Sequence, residues 1–207
     1  MSPGVVFFLK GAVLGFSIAA PVGPIGVLCI RRTLEGGLMR GFLSGMGAAT
    51  ADGLYGSLAA FGMTALSSLL LQNQFILRLF GGFFLLFLGF SSFKTVPSGP
   101  ASGKEGRGIL RDYVSVFFLT VANPMTILSF SAVFAGLGIG SAGGNVPLAG
   151  MMVLGVVSGS ALWWLALSGS VSLLRGRFDP GSLKWVNRFS GCIIGCFGIM
   201  SVASLWV

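Results

Sequence analysis

The chain has 207 residues, of which 54% are hydrophobic and 9% are charged. This composition excludes an ordinary soluble domain and indicates an integral membrane protein surrounded by a lipid bilayer. The formal net charge of +8 resides in short segments between apolar stretches, without a basic face or a nucleic-acid-binding motif, so nucleic acid is not expected as a partner.

Six apolar segments follow one another along the chain, each near or above the ~20 residues that cross a bilayer as a helix. The N-terminal one does not resemble a signal peptide, because Lys10 interrupts it and no basic cluster precedes it, so we expect the mature chain to start at Met1. The predicted fold is all-α and integral to the membrane, with six transmembrane helices. Their predicted ranges are Val5–Ile30, Gly41–Leu71, Phe75–Phe93, Tyr113–Gly138, Pro147–Leu174 and Val186–Trp206.

Basic residues are concentrated in three of the connections between these spans. Ten of the 13 Lys and Arg residues lie between the first and second, the third and fourth, or the fifth and sixth spans, and an eleventh, Arg188, lies at the start of the sixth span on the same side. Cytoplasmic loops of membrane proteins carry an excess of Lys and Arg. The chain is therefore predicted to be a multi-pass protein of the cytoplasmic (inner) membrane, with both termini outside.

The residues around 94–112 are rich in Gly, Ser, Pro and charge, which predicts a flexible cytoplasmic linker. This linker divides a single transporter domain, residues 1–207, into two sets of three spans at about 5–93 and 113–207. Because three is an odd number, the second set is expected to be inverted relative to the first, as in many secondary transporters.

A short pattern supports this internal repeat. Phe80-x-Gly82 with Gly89 in the third span has the same spacing as Phe189-x-Gly191 with Gly198 in the sixth span. The predicted fold is thus two inverted three-helix repeats.

Two predicted spans contain a helix-breaking site, Pro21-Val22-Gly23-Pro24 in the first and Asn123-Pro124 in the fourth. Proline removes a backbone donor, and the freed groups are tolerated in a membrane only where protein or a wet cavity surrounds them. We predict that helices 1 and 4 are broken near mid-membrane and that the breaks bind substrate. The alternative is a pair of kinks that only improve packing. The substrate-binding candidates from the breaks are Pro21, Gly23, Pro24, Gly26, Asn123, Pro124 and Thr126.

Asp52 is the acidic residue that lies deep in a predicted span, about a dozen residues into the second. An ionised carboxylate at that depth is costly unless it is paired or hydrated. Burial favours the protonated form of a carboxyl group and a nearby cation favours the ionised form. We therefore predict that Asp52 binds a cationic substrate group, a proton, or each in turn, with Tyr55 nearby as a further substrate-binding candidate. The alternative is a structural Asp that caps the broken span or bonds to Tyr55 or Ser and Thr neighbours.

An enzyme is not expected, and no catalytic residue is assigned. The chain has no His, which excludes Ser-His-Asp and Cys-His arrangements, and it has no glycine-rich phosphate loop with a Lys. No cofactor is predicted. Cys29, Cys192 and Cys196 all lie in apolar spans and are expected to be small buried side chains, so no metal site is predicted.

Glycine stripes at four-residue spacing are expected to be packing surfaces, within the fold or between protomers, and make a homodimer plausible. Trp163 and Trp164 are expected to fill the core, with one of them as an alternative cavity wall. Arg78 and Lys10 are expected near the outer ends of their spans, with their charged groups reaching towards water. The stripes begin at Gly37/Gly41/Gly45, Gly11/Gly15, Gly155/Gly159 and Gly191/Gly195.

The segments Pro21-Val-Gly-Pro-Ile-Gly-Val-Leu-Cys-Ile-Arg-Arg-Thr-Leu34, Gly45-Met-Gly-Ala-Ala-Thr-Ala-Asp52 and Asn123-Pro-Met-Thr-Ile-Leu128 resemble the LysE/RhtB family of amino-acid exporters. The resemblance covers nearly the whole chain in order and in number of spans. It implies export of amino acids driven by the membrane potential or a proton gradient. The positions that match the family's motif residues are Pro21, Gly23, Pro24, Asp52, Asn123 and Pro124.

Two departures from the family pattern leave the substrate class open. Val22 is inserted in an element that usually reads Pro-Gly-Pro, and Met125 replaces the Lys of an element that is often Asn-Pro-Lys. The predicted function is secondary active export of amino acids or related small zwitterions, with a proton gradient or the membrane potential as energy source. The alternatives are a metal or small-ion exporter of the wider superfamily and a passive channel.

Overall fold

The computed structural model describes residues 2–60, 72–94, 105–123, 126, 129–130, 145–177 and 180–205. Within this part of the chain the regular structure is helical and no strand occurs. A short 3-10 helix, Arg175–Arg177, continues the sixth helix. The α-helices are α1 (Pro3–Ala19), α2 (Pro24–Gly36), α3 (Leu38–Ala60), α4 (Gln74–Lys94), α5 (Glu105–Val121), α6 (Val146–Leu174) and α7 (Pro180–Ala203).

The predicted break in the first span is confirmed. α1 ends at Ala19, and α2 begins at Pro24 with its axis turned by 83°. Pro24 occupies the first turn of α2, where its missing N–H would have no helical acceptor in any case. Between the two helices the Gly23 N–H donates to the Pro21 carbonyl at 3.0 Å. The chain therefore turns sharply within a segment that is otherwise apolar enough to span a membrane.

The fourth predicted span also stops being helical where the sequence predicts it. α5 ends at Val121, and the Asn123 N–H donates to the Thr120 carbonyl at 3.2 Å. A residue that precedes proline is disfavoured in the helical region, which explains an end just before Pro124. Pro124 itself lies outside the described residues.

α5 begins at Glu105, whereas the fourth span was predicted to begin at Tyr113. Residues 105–112 of the predicted linker are therefore helical. Asp112, at the end of the predicted linker, pairs with basic side chains of α2 and α3. Of the predicted linker, residues 95–104 lie outside the described part of the chain.

α1 and α6 run parallel and approach each other through their glycines. A Cβ atom at Gly11 or Gly15 would overlap the carbonyl oxygens of Met152 or Val156, and one at Gly155 would overlap backbone of α1. Small residues that let two backbones meet are a common way to join membrane helices. These stripes thus pack within the chain, and they give no support to the expected homodimer.

α4 and α7 run antiparallel and meet at two pairs of glycines. A Cβ at Gly89 would lie 2.8 Å from the Gly191 carbonyl oxygen, and one at Gly191 would lie 2.7 Å from that of Gly89. Gly82 and Gly198 form the second pair, at 3.2 and 2.9 Å by the same measure. The remaining extensive helix contacts are α3 with α6 and α3 with α5.

Among the described residues, three helices are long and apolar enough to cross a membrane, and the bent pair α1–α2 would make a fourth span. These helices are α4, α6 and α7, in the regions of the predicted third, fifth and sixth spans. α3 has sufficient length, but its glycines, Arg40 and Asp52 make it less apolar. The described part of α5 is too short at 17 residues. Six spans therefore remain a prediction.

Three smaller predictions can be compared with the structure. Cys29 is buried as expected, but Cys192 and Cys196 are exposed because the opposite face of α7 packs on α4. Trp164 is buried in the core and also lines a small cavity beside the helix breaks, so both expectations hold for it. Trp163 is partly buried, with its ring edge-to-face to that of Phe16 at 5.4 Å.

Candidate functional site

A cavity of about 550 Å³ lies beside both helix breaks. Pro21, Gly23 and Pro24 form one part of its wall, and Asn123 and Thr126 form another. Residues from the first half of α4 and the end of α7 extend it towards one end of the bundle, which we call the outer face. These residues are Arg78, Gly81, Leu85, Phe197, Met200, Ser201 and Ser204.

A second, smaller cavity of about 60 Å³ adjoins the first and shares several wall residues with it, including Pro21, Gly23 and Asn123. Its own wall adds Asp52 of α3 and Gly26 of α2. The two breaks and the Asp52 carboxyl group therefore lie around two adjoining cavities that share wall residues.

Asp52 is 3% exposed and points from α3 towards α6. Its Oδ2 accepts a hydrogen bond of 2.7 Å from the hydroxyl of Ser160, which is itself fully buried. The close approach of α3 to α6 at Gly53, beside Val157, brings these two side chains together. A hydroxyl donor and an adjoining cavity are what an ionisable group needs in order to gain and lose a proton at this depth.

The helix ends at the cavity carry opposite partial charges. α2 begins there, and the N–H groups of Ile25 and Gly26 have no acceptor within the helix, while the N-cap Gly23 has no side chain to cap them. α5 ends there, at Val121, so its last carbonyl groups give the opposite polarity. The site thus offers N–H donors without a helical acceptor at the start of α2. At the end of α5 the carbonyl groups of Thr120 and Val121 each accept one hydrogen bond already and retain a second lone pair.

Tyr55 has a different position from the one predicted. Its hydroxyl donates to the carbonyl of Val121 at 2.6 Å, and its ring stacks on that of Phe130 at 5.5 Å. Among the described residues that line the two cavities, Tyr55 does not appear. Tyr55 therefore satisfies the last carbonyl of α5 and fixes the position of the second break.

The structure thus brings most of the predicted site residues together. Five of them line both cavities, and two line the smaller cavity alone. The five are Pro21, Gly23, Pro24, Asn123 and Thr126, and the two are Gly26 and Asp52.

Comparison with known proteins identifies the family of the chain. The sequence profile of the LysE type translocators matches residues 16–204. The chain belongs to the LysE type translocator family. The translocator is 27% identical over 194 residues to a Bacillus subtilis (strain 168) protein named "Putative amino acid efflux protein YcgF", and the match covers 92% of each chain. It is 28% identical over 178 residues to "Uncharacterized membrane protein YahN" of Escherichia coli (strain K12), covering 82% of this chain and 77% of that protein. No solved structure matches the translocator.

Sequence reasoning missed a cluster of ion pairs at the end of the bundle opposite the outer face. Arg32 is buried, and its guanidinium donates to the Asp112 carbonyl at 2.8 Å and to the Ser115 hydroxyl at 2.7 Å. The Asp112 carboxylate lies 3.3 Å from Arg32 and 2.7 Å from Arg40. The sequence shows that Arg32 and Arg40 lie near predicted span ends. It does not show that Asp112, in a distant segment, is their partner.

Further contacts extend this cluster. The Arg31 guanidinium donates to the Ser92 hydroxyl at the end of α4 and lies 3.5 Å from the Glu35 carboxylate. Arg175 donates to the Leu34 and Glu35 carbonyls at 3.1 and 3.2 Å. The cluster thus joins the ends of α2, α4 and α6 to the starts of α3 and α5, and we call this end of the translocator the basic face.

Arg78 was expected to reach towards water at a span end. The structure instead includes it in the wall of the larger cavity, with its Nε atom buried. α4 packs on α7 at this point, and the Ser201 hydroxyl of α7 donates to the Arg78 carbonyl at 3.1 Å. The translocator therefore carries a cationic residue in the outer wall of its cavity.

Proposed function

We propose that this translocator is a secondary active exporter of amino acids or related small zwitterions across the cytoplasmic membrane. The observation that carries the proposal is the meeting of two helix breaks and one buried carboxyl group around two adjoining cavities. Interrupted helices are costly in lipid and are typical of the substrate sites of secondary transporters. The name of the Bacillus subtilis relative, which refers to amino acid efflux, fits this proposal.

The polarity of the site suits a zwitterion. In our proposal the substrate carboxylate binds at the start of α2, where Ile25 and Gly26 line the smaller cavity and their N–H groups have no acceptor within the helix. The substrate ammonium group binds Asp52 and the acceptors at the end of α5, including Asn123. A molecule of one charge alone would leave one of these two ends unmatched.

The same arrangement gives a route for coupling to protons. The substrate ammonium group and a proton both require the ionised form of the Asp52 carboxylate, so they bind in alternation. Alternate binding is what antiport needs, since a proton then enters as a substrate molecule leaves. A membrane potential of 100 mV would add about 2.3 kcal/mol per charge moved, or roughly fifty-fold accumulation.

Repeated helix contacts support two inverted halves. A Cβ at Gly47 of α3 would meet the Tyr113 carbonyl and the Phe117 N–H group of α5. A Cβ at Gly155 of α6 would meet the corresponding groups of Phe8 and Ala12 in α1, with the same four-residue spacing. α3 and α6 thus make equivalent contacts with α5 and α1, as an inverted repeat requires.

For the orientation, we propose that the basic face is cytoplasmic and that both termini lie outside. The support is the gathering of Arg31, Arg32, Arg40 and Arg175 at one end of the bundle. Cytoplasmic ends of membrane proteins are enriched in such residues. The larger cavity would then extend towards the outside.

The test is counterflow in proteoliposomes that contain the purified protein. Vesicles are preloaded with one unlabelled amino acid, and uptake of the same labelled amino acid is measured with and without an imposed pH gradient. We expect transient accumulation that depends on the preloaded substrate and saturates. Absence of counterflow with every standard amino acid at every imposed pH gradient would contradict the proposal, and a linear flux without counterflow would indicate a channel. Uptake of a metal ion in the same vesicles would favour the ion-exporter alternative.

A further inference from the structure

We infer that the translocator has a second substrate-facing surface, a vestibule that opens at the basic face and is closed here by the ion pairs of Asp112. The inference rests on the proposed function, because an exporter of small zwitterions must take up its substrate at one face and release it at the other. It deepens that function by assigning residues to the loading side.

The α4–α7 contact gives the first argument, because it is reciprocal. Gly82 meets Gly198, while Gly89 meets Gly191, and the two helices run antiparallel. In the sequence repeat, Gly82 corresponds to Gly191 and Gly89 corresponds to Gly198. Replacing each glycine by its equivalent turns the Gly82–Gly198 contact into the Gly89–Gly191 contact, and the reverse. This correspondence assigns a partner position in α7 to every position in α4.

The larger cavity extends to the outer face, and we call it the outer cavity. The residues of α4 and α7 that line it therefore have counterparts nearer the basic face. In α7 the outer cavity is lined by Phe197 and Ser201, whose counterparts in α4 are Leu88 and Ser92. For the α4 lining residues Gly81 and Leu85, the counterparts in α7 are Ser190 and Ile194.

These four counterparts are buried in this structure, whereas Phe197 of the outer cavity is 38% exposed. Ser91, the counterpart of the lining residue Met200, is partly buried. Two of the four, Ser92 and Ser190, are hydroxyl side chains buried between helices that are otherwise apolar. Hydroxyl groups donate and accept hydrogen bonds and can contact both the ammonium and the carboxylate group of a zwitterion. A surface with this composition fits a closed vestibule for the same class of substrate.

One contact of the basic face reaches this surface directly, and the ion pairs of Asp112 lie at the same end of the bundle. Arg31 donates to Ser92 itself, which ties the end of α2 to the proposed wall. Arg32 and Arg40 hold Asp112, which joins α2 and α3 of the first half to α5 of the second half. Separation of the two halves at this face requires that these pairs break, so the pairs set the balance between the closed and open vestibule.

The test measures access of a membrane-impermeant maleimide to single cysteines in a protein whose Cys29, Cys192 and Cys196 have been replaced. Ser190→Cys reports on the proposed vestibule and Ser201→Cys on the outer cavity, and each is labelled from each side of oriented membrane vesicles. We expect Asp112→Asn to raise labelling of Ser190→Cys from the basic face by about tenfold, because removing one partner of buried ion pairs destabilises the closed state. Labelling of Ser201→Cys from the opposite face should fall.

Two results would overturn the inference. One is unchanged labelling of both cysteines in the folded Asp112→Asn protein. The other is a parallel rise at both, which would indicate general loosening rather than an exchange of access. If Asp112→Asn does not fold, Arg40→Gln removes the ion pairs of Arg40 with Asp112 and Glu35 and leaves the Arg32–Asp112 pair in place. The same opposite changes are then expected at smaller size. Labelling needs no substrate, so its outcome is independent of the counterflow test of the proposed function.

Discussion

The hydroxyl of Ser160 donates to the Asp52 carboxylate at 2.7 Å, across the contact between α6 and α3. Gly47 of α3 and Gly155 of α6 make equivalent contacts in the two proposed repeats. Asp52 and Ser160 follow these glycines by the same number of residues, so they occupy equivalent positions. The two side chains thus contact each other where the symmetry axis would cross. A group on such an axis keeps its surroundings when the halves exchange conformations, which suits a site that must be reached from both sides in turn.

The first prediction concerns Asp52→Asn. Asparagine keeps the shape and can still accept the Ser160 hydrogen bond, but it cannot ionise. In the proposed complex the Asp52 carboxylate pairs with the substrate ammonium group, and loss of one partner of a buried ion pair costs about 3–5 kcal/mol. We therefore expect efflux to fall by at least about tenfold and to lose its dependence on the pH gradient. The measurement is efflux of a labelled amino acid from cells with matched protein levels. Undiminished efflux with the same pH dependence would remove Asp52 from the mechanism.

The second prediction concerns Ser160→Ala. The Ser160 hydroxyl stabilises the ionised Asp52 carboxylate, so its removal favours the protonated form. A hydrogen bond to a charged group is worth about 1.5–3 kcal/mol, and the pH profile of transport should therefore move to higher pH by roughly 1 unit. Tyr55, on the same helix as Asp52, is another titratable group near it and is unchanged in this variant.

The matched control for this variant is Ser168→Ala. Ser168 is equally buried on α6 and makes no hydrogen bond within the described part of the chain. A merely structural effect of removing a buried hydroxyl would appear in both variants. Equal pH profiles for the Ser160→Ala and wild-type proteins, at normal folding, would show that Ser160 does not position Asp52.

The third prediction concerns Tyr55→Phe, which removes the hydrogen bond to the Val121 carbonyl and keeps the ring that stacks on Phe130. A buried carbonyl left without its donor costs about 1–3 kcal/mol. We expect a lower melting temperature and weaker substrate binding, measured as a higher half-saturation concentration in counterflow. Tyr113→Phe is the control, since its hydroxyl bonds to Thr50 at an exposed position. Equal losses in both variants would contradict a role for Tyr55 at the second break.

Local chemistry explains which features the sequence could predict. Proline removes a backbone donor and disfavours the helical conformation of the residue before it, so Pro21, Pro24 and Pro124 were sufficient to predict both interruptions. Apolar length likewise predicted α4 and α6 to within a residue or two. The predicted depth of Asp52 in its span follows from the rise per residue of a single helix. The same helix, α3, places Asp52 in the wall of the smaller cavity.

Contacts between distant segments could not be predicted in this way. Ser160 is one of several serines in its span, and the closeness of Gly53 to Val157 selects it as the partner of Asp52. The polar residues that precede Asp112 in the sequence predicted that it ends a linker. In the structure Asp112 is buried and forms ion pairs with Arg32 and Arg40. The position of Tyr55 in the sequence, close to Asp52, predicted a substrate-binding residue. In the structure its hydroxyl donates a hydrogen bond to the Val121 carbonyl at the end of α5.

The last prediction concerns the contact between α1 and α6. A Cβ at Gly159 would overlap the Ala12 carbonyl oxygen, so Gly159→Ala forces the two backbones apart. Overpacking of this kind costs about 1–3 kcal/mol, and we expect a clear fall in the melting temperature of the detergent-solubilised protein. Gly169→Ala lies on the same helix with no atom within 4 Å of the added carbon, so it should leave the protein as stable or raise its stability by about 0.5–1 kcal/mol. If both variants melt at the wild-type temperature, α1 and α6 do not approach as closely as described, and the position of the first break beside the cavity loses its support.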